Sequence, residues 1–348
     1  MDDDDTPSEN GMRRSRLLAL VIPLLLLCGC TLLGYVESEH PSLRVPAEWE
    51  PHAATWIQWP GRWEAAMRPA FARIIDVIQD YEPLQLLVSS SAQLTEARQY
   101  VEDAGTSLTN ITWHVVPIDN SWMRDNGPIY VRDGSQLLIQ DWGFDAWGGN
   151  FGQDVPFNHD DDIPTWVANQ TGIALEDRGS YILERGNLES NGQGLLILNW
   201  DCQDDRNPGM TQTEHETILR TALGATQILW AYGHDPLDGT IGHIDGTARF
   251  VDAETILIRT SDWGHETEEQ LAAACIAAGL QVIRYDGDPN WLIGNGFVLA
   301  MSKGDSQDVA RQHQLEQLFP NRAVHMIDAR SISDAGGGIH CVTNDQPL

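Results

Sequence analysis

The sequence predicts an α/β fold. Short apolar runs rich in Val, Ile and Leu alternate with segments whose apolar residues recur at helical spacing, and the connections between them are short. From residue 43 onward no low-complexity linker and no clear repeat interrupts this alternation. Hydrophobic residues make up 42% of the 348 and include 13 Trp, which is enough for a sizeable core; a disordered chain, a coiled coil and a disulfide-stapled miniprotein are excluded.

Taken in order, Arg68 to Tyr81 places Phe71, Ile74, Ile75 and Ile78 on one helical face, with Pro69 suited to a first turn. Leu84 to Val88 reads as a buried strand, Ser91 to Asp103 as a helix and Ile111 to Ile118 as a strand. The alternation resumes with helix Thr211 to Leu223, strand Gln227 to Tyr232 and paired strands Ala248–Val251 and Thr255–Ile258. Helix Glu266 to Ala278, strands Gln281–Tyr285 and Gly296–Met301, helix Ser306 to Leu318 and strand Ala323–Ile327 complete it. Periodicity gives the class and no topology.

Ahead of this fold lies a leader, residues 1–42. Met12-Arg13-Arg14-Ser15-Arg16 is a basic start, Leu17 to Leu27 is apolar apart from Pro23, and Leu27-Cys28-Gly29-Cys30 ends the run, which is the layout of an export signal. The end of the run resembles a lipobox with Cys30 as the lipid-bearing residue, although Cys28 is unusual there. A short membrane anchor is the alternative, at about 17 apolar residues the lower limit for spanning. The acidic Met1 to Asp5 stretch fits neither, and Met12 offers a second start. If the chain stays unexported, it is cytoplasmic.

Acidic residues outnumber basic ones 51 to 21, a net charge of −30, and Lys303 is the only lysine. Such a surface repels phosphate backbones, so nucleic acid is excluded as a partner, and it suits either solubility in high salt or the steering of a cationic substrate. Oligomeric state is not legible.

Five segments crowd polar residues or glycines at the ends of apolar strands: Asn120 to Pro128, Leu183 to Glu189, Gly242 to Asp245, Gly294-Asn295-Gly296 and Gly336 to Cys341. His243 and Asp245 alternate on what reads as a strand and so face one side. Of the cysteines beyond the leader, Cys275 reads as a core hydrophobe on a helix face, Cys202 as a loop thiol and Cys341 as a thiol presented from a glycine turn. Three cannot all pair, so at least one is free. Each motif alone has a bland reading: a turn, a satisfied polar pair, an ion pair between Glu184 and Arg185. Together they supply a thiol, an imidazole and several carboxylates, the parts for Cys/His catalysis on a cationic substrate.

The residues also carry a resemblance. Val45-Pro46-Ala47-Glu48-Trp49-Glu50-Pro51-His52, Thr55-Trp56, Trp59-Pro60, Trp122 to Pro128, Trp147-Gly148-Gly149, Arg206-Asn207-Pro208, Gly242 to Asp245, Ala248-Arg249-Phe250, Asn295-Gly296 and Gly336 to Thr343 resemble, in order, the bacterial agmatine deiminase and peptidylarginine deiminase family of the guanidine-modifying pentein superfamily. The resemblance covers essentially all of residues 43–348. It implies a pentein-type α/β propeller of five ββαβ units around a pseudo-fivefold axis, roughly 60 residues each. It implies Cys341 as nucleophile, His243 as general acid/base, Asp125 and Asp245 as carboxylates gripping a guanidinium, Glu184 as the residue orienting the histidine, and Trp122 and Asn295 as pocket lining. Arg185 and Asn150 depart from the family's usual Gly and Lys.

A guanidinium is planar and charged at ordinary pH, so its carbon is a poor electrophile and needs a strong nucleophile such as a thiolate. Paired aspartates suit its N–H groups, and the expected intermediate is a covalent thiouronium. No metal or cofactor is needed; His234-Asp235, His243-x-Asp245 and His340-Cys341 have no standard zinc spacing. The expected function is an iminohydrolase acting on agmatine to give N-carbamoylputrescine. The alternatives are a peptidylarginine deiminase, an amidinotransferase or a polyamine-binding lipoprotein without turnover. Trp49, Trp56 and Trp59 are candidates for the pocket mouth, with core packing as the other reading.

Overall fold

The computed structural model describes residues 42–152, 154–260 and 265–348; the expected leader, with Cys28 and Cys30, falls outside them. Within them one pattern repeats five times. Two antiparallel strands are followed by a helix and then by a strand parallel to the second, which is the right order for a ββαβ unit because parallel neighbours require a crossover.

Blade 1 pairs Thr343–Pro347 antiparallel with His52–Gln58, which after helix Arg68–Tyr81 is joined in parallel by Leu84–Val88 and, beyond a second helix, by Ile111–Val115. Blade 2 consists of Ile129–Asp133, Gln136–Gly143 and Ala174–Ile182, with Leu43–Arg44 added at its edge. Blades 3, 4 and 5 are three-stranded: Glu189–Ser190, Leu195–Asn199 and Gln227–Ala231; Ala248–Phe250, Thr255–Arg259 and Gln281–Tyr285; Leu292–Gly294, Phe297–Ser302 and Ala323–Asp328. The crossover helices are Ile163–Thr171, Gln212–Leu223, His265–Ala277 and Asp308–Leu318. The chain is thus a five-bladed α/β propeller about a pseudo-fivefold axis. Blade 1 takes strands from both ends of the described chain, so its Thr343–Ile57 register closes the ring.

The elements form where local chemistry favours them. Helix Arg68–Tyr81 buries Phe71, Ile74, Ile75 and Ile78. Helix Gln212–Leu223 starts at a capping box, with Thr211 and Glu214 each accepting from the other's backbone N–H, and stops at Gly224 in the left-handed region. Two elements depart from expectation. Cys202 is not a loop thiol: Asn199 caps a helix, Trp200–Arg206, and buries Cys202 within it. Nor do His243 and Asp245 alternate on a strand. Ile241 and Gly242 both adopt left-handed φ values of 61° and 85°, which breaks extended structure, and Ile244–Gly246 is a 3-10 turn. Trp56 and Trp59 are core residues, and Trp49 packs between blades 4 and 5, so none of the three forms a mouth to the site below.

Candidate active site

In every blade the loop leading into the first strand delivers polar groups to the centre. Asp125 precedes Ile129–Asp133, Glu184 precedes Glu189–Ser190, His243 and Asp245 precede Ala248–Phe250, Asn290 precedes Leu292–Gly294, and Cys341 precedes Thr343–Pro347. All six are buried. Repetition of one position around an axis explains how residues so distant in sequence meet.

Asn290 is the residue that motif reading missed. Its Nδ2 donates to Cys341 Sγ at 3.1 Å and its Oδ1 accepts from the Cys341 N–H at 3.1 Å. It lies in Asp288-Pro289-Asn290-Trp291, which in sequence is an unremarked turn. Asn295, expected to line the pocket, does not. It sits past the strand Leu292–Gly294, at that strand's far end, and there exchanges hydrogen bonds with the His52 backbone at 2.9 and 3.0 Å.

The carboxylates are held apart by different neighbours. Asp125 Oδ2 accepts from Trp147 Nε1 at 2.9 Å, and Oδ1 accepts from the Gly186 N–H at 3.1 Å. Burial, reinforced by the charges of Glu184 and Asp245, raises its carboxyl to about 6 against the pull of His243. A Cβ at residue 186 would fall 2.4 Å from His243 Nδ1 and 2.6 Å from Asp125 Oδ1, so only glycine fits. Asp245 Oδ2 lies 2.7 Å from His340 Nδ1 and 3.7 Å from Cys341 Sγ. Burial pushes Asp245 up, yet the His340 hydrogen bond and the neighbouring cationic groups hold it below the ordinary carboxylate range. His340 Nε2 in turn meets Glu48 Oε2 at 2.7 Å, and Arg249 joins Glu48 at 2.6 Å and Glu189 at 3.0 Å. Glu48 is therefore part of this relay.

His243 Nε2 lies 2.7 Å from Glu184 Oε2, while Glu184 Oε1 accepts from Arg206 Nε at 2.8 Å. Burial opposes the charged imidazole, but Asp125 and Glu184 outweigh it and keep the ring's pKa well above its ordinary value. His243 Nδ1 is buried without a hydrogen-bond partner and stands 3.6 Å from Asp125 Oδ1. Arg185 leaves Glu184 alone: its guanidinium reaches Asn344 at 2.6 Å and the Asp345 carboxylate at 2.8 Å, over the ring of Tyr130. Arg206 is the partner that adjacency in sequence had assigned to Arg185. Asn150 is exposed, donating to the Trp147 carbonyl and to Asp205.

Two cavities meet at Cys341. One, about 180 Å³, is lined by Trp63, Trp122, Asp125, Trp147, Phe151 and Val155, so Trp122 takes its expected place. The other, about 370 Å³, carries Asp235, Asp238, Asp245, Asp288 and His243. Burial and the flanking Asp245 and Asp125 push the Cys341 thiol well above its ordinary range. A cation placed between those carboxylates offsets the last two effects and so favours the thiolate.

The family model for Porphyromonas-type peptidyl-arginine deiminases matches residues 44–284 and 289–347. The chain belongs to that family. The deiminase is also 31% identical to the agmatine deiminase of Ectopseudomonas mendocina, over 87% of this chain and 95% of the relative. An agmatine deiminase of Pseudomonas aeruginosa matches at the same identity and the same coverage. The fold matches that of the agmatine deiminase of Enterococcus faecalis at TM-score 0.80 and 23% identity, covering 90% of this chain and 98% of that one.

Proposed function

We propose that this deiminase hydrolyses the guanidino group of agmatine to N-carbamoylputrescine and ammonia. The observation that carries the reading is the placing of Cys341 between two carboxylates, Asp125 and Asp245, with the His243–Glu184 pair alongside. In this reading the aspartates hold the guanidinium plane and the Cys341 thiolate adds to its carbon. His243 is engaged by Glu184 through Nε2, which leaves Nδ1 to pass the proton. It protonates the departing nitrogen, ammonia leaves, and a thiouronium remains on Cys341. A water then gives its proton to His243 and its oxygen to the carbon; the C–S bond breaks and the thiolate is regenerated.

Substrate choice follows from the walls. No Lys or Arg lines the aromatic cavity among the described residues, and Arg259, beside the acidic one, is paired with Glu268 at 3.2 Å. A dication such as agmatine meets complementary charge, whereas the carboxylate of free arginine meets like charge. Agmatine, free arginine and an arginyl peptide, compared by ammonia release and kcat/KM at low salt, test this. Agmatine is expected first and arginine last. Faster turnover of the arginyl peptide would transfer the assignment to peptidylarginine deimination, and no ammonia from any of the three would leave a binding protein.

We also infer that residues 12–30 export the chain and that Cys30 carries a lipid tether. Support comes from the basic-then-apolar leader, and the family match begins only at residue 44. Palmitate labelling lost in Cys30→Ser is the expected result; unprocessed chain in the cytosol would refute it.

A further inference from the structure

Behind the catalytic histidine lies a group of side chains the reaction does not use in full. Glu184, Cys202 and His243 each bring one metal-ligating atom to within 4.8 Å of the others, all three are buried, and no other such trio exists among the described residues. Glu184 Oε2 is 2.7 Å from His243 Nε2 and 3.9 Å from Cys202 Sγ. Zinc bonds of about 2.0–2.3 Å in a tetrahedron separate ligand atoms by roughly 3.3–3.7 Å, inside the range these three already span. Imidazole, thiolate and carboxylate are zinc's ligands, and three protein ligands leave a fourth place for water.

The surroundings fit the second requirement of such a site. Arg206 holds Glu184 through Oε1 only, so Oε2 can exchange its hydrogen bond with His243 Nε2 for a bond to the metal. A metal on Nε2 puts the ring proton on Nδ1, the buried atom that otherwise lacks a partner, and Asp125 Oδ1 stands 3.6 Å away to receive it. A carboxylate behind a metal-bound histidine is the arrangement that orients such ligands. His243 borders the 370 Å³ cavity, which supplies a route inward. Spacing rules miss the trio because its members come from three separate segments.

We propose that Glu184, Cys202 and His243 form an inhibitory site for zinc or a cation of similar softness. Binding releases the Cys202 thiol proton and the His243 Nε2 proton to solvent and leaves the one remaining ring proton on Nδ1. That nitrogen can then no longer accept the proton of the attacking water, and turnover stops until a chelator removes the metal.

Direct metal binding tests this without relying on the substrate assignment. The full chain carrying Cys28→Ser, Cys30→Ser and Cys341→Ser is titrated with Co²⁺, and a near-ultraviolet thiolate-to-cobalt band is expected. It should vanish when Cys202→Ser is added. In the chain with Cys341 intact, Cys202→Ala and Cys202→Ser should keep turnover in chelator. Their half-inhibiting Zn²⁺ concentration should rise by more than about 10- to 100-fold, the loss that even outer-shell changes cause. The proposal is overturned if the Cys341→Ser chain shows no band, if the band survives Cys202→Ser, or if folded Cys202 variants keep wild-type zinc sensitivity. The first criterion stands even if the Cys202 variants fail to fold.

Discussion

Replacing Asp245 with Asn separates two effects of one carboxylate. Asp245 Oδ2 lies 3.7 Å from Cys341 Sγ, and at that distance a thiolate and a carboxylate repel by about 4 kcal/mol at an effective dielectric near 20. Asp245 is held ionised by its contact with His340, so this repulsion opposes the thiolate throughout the neutral range. Removing the charge therefore lowers the thiol's pKa in the free enzyme. In the proposed mechanism the same substitution removes a charge-assisted hydrogen bond to the guanidinium, a loss of about 2–3 kcal/mol, or about 30- to 150-fold in kcat/KM. The Asp245→Asn enzyme is thus expected to have a more reactive cysteine and to be a poorer catalyst. Inactivation by iodoacetamide without substrate, followed against pH, should shift to lower pH while kcat/KM for agmatine falls. An alkylation profile that stays in place or moves to higher pH would refute the electrostatic account of Cys341, and unchanged kcat/KM would refute the guanidinium contact.

Cys341→Ser should fold and show negligible turnover, since a hydroxyl is far less ionised, whereas Cys275→Ser should retain activity; ammonia release checks both. Because burial raises Asp125 to about 6, its neutral form below that pH gives up one arm of the proposed cation clamp. kcat/KM for agmatine should accordingly decline on the acid side around pH 6, well above an ordinary aspartate, and a profile flat down to pH 4 would contradict this. Asn290→Ala should cut kcat/KM about tenfold or more by freeing Cys341, while Asn295→Ala costs about 1 kcal/mol of stability with kcat/KM unchanged. Arg185→Gly should lower Tm, with a loss of up to about 3 kcal/mol because Asp345 keeps Arg124 at 3.0 Å; an unaltered Tm in a thermal melt would count against that buried pairing.

Local order was readable where one physical signal dominated. The spans Leu84–Val88 and Ser91–Asp103 are read from local pattern alone, and they agree with the structure to the residue. The fivefold plan was invisible to periodicity because blades share a hydrogen-bonding pattern and not a sequence repeat. It entered only through family resemblance. Among site residues, Cys341, His243, Asp125, Asp245 and Glu184 sit in motifs dense in chemical groups, and the structure brings them together. Asn290 has no such company, and its role depends on a strand register that no local window contains. Asn295 shows the converse error: a glycine-flanked polar residue at a strand end is conspicuous, but strands have two ends, and only one faces the axis. The pairing of Glu184 with Arg206 instead of Arg185 has the same origin, since adjacent side chains on a turning backbone point apart.

The closing of blade 1 by Thr343–Pro347 has a consequence for the birth of the protein. Cys341 stands just before that strand, so its thiol emerges from the ribosome after blades 2 to 5 and most of blade 1 are already made. It reaches the aspartates only when the strand zips against His52–Gln58, whose partner positions were synthesised nearly a full chain earlier. A stalled or clipped chain therefore carries every carboxylate and the histidine but no thiol to react. Under the proposed role of Cys341, folding and chemistry finish in the same event, and activity in a sample counts ring-closed molecules alone.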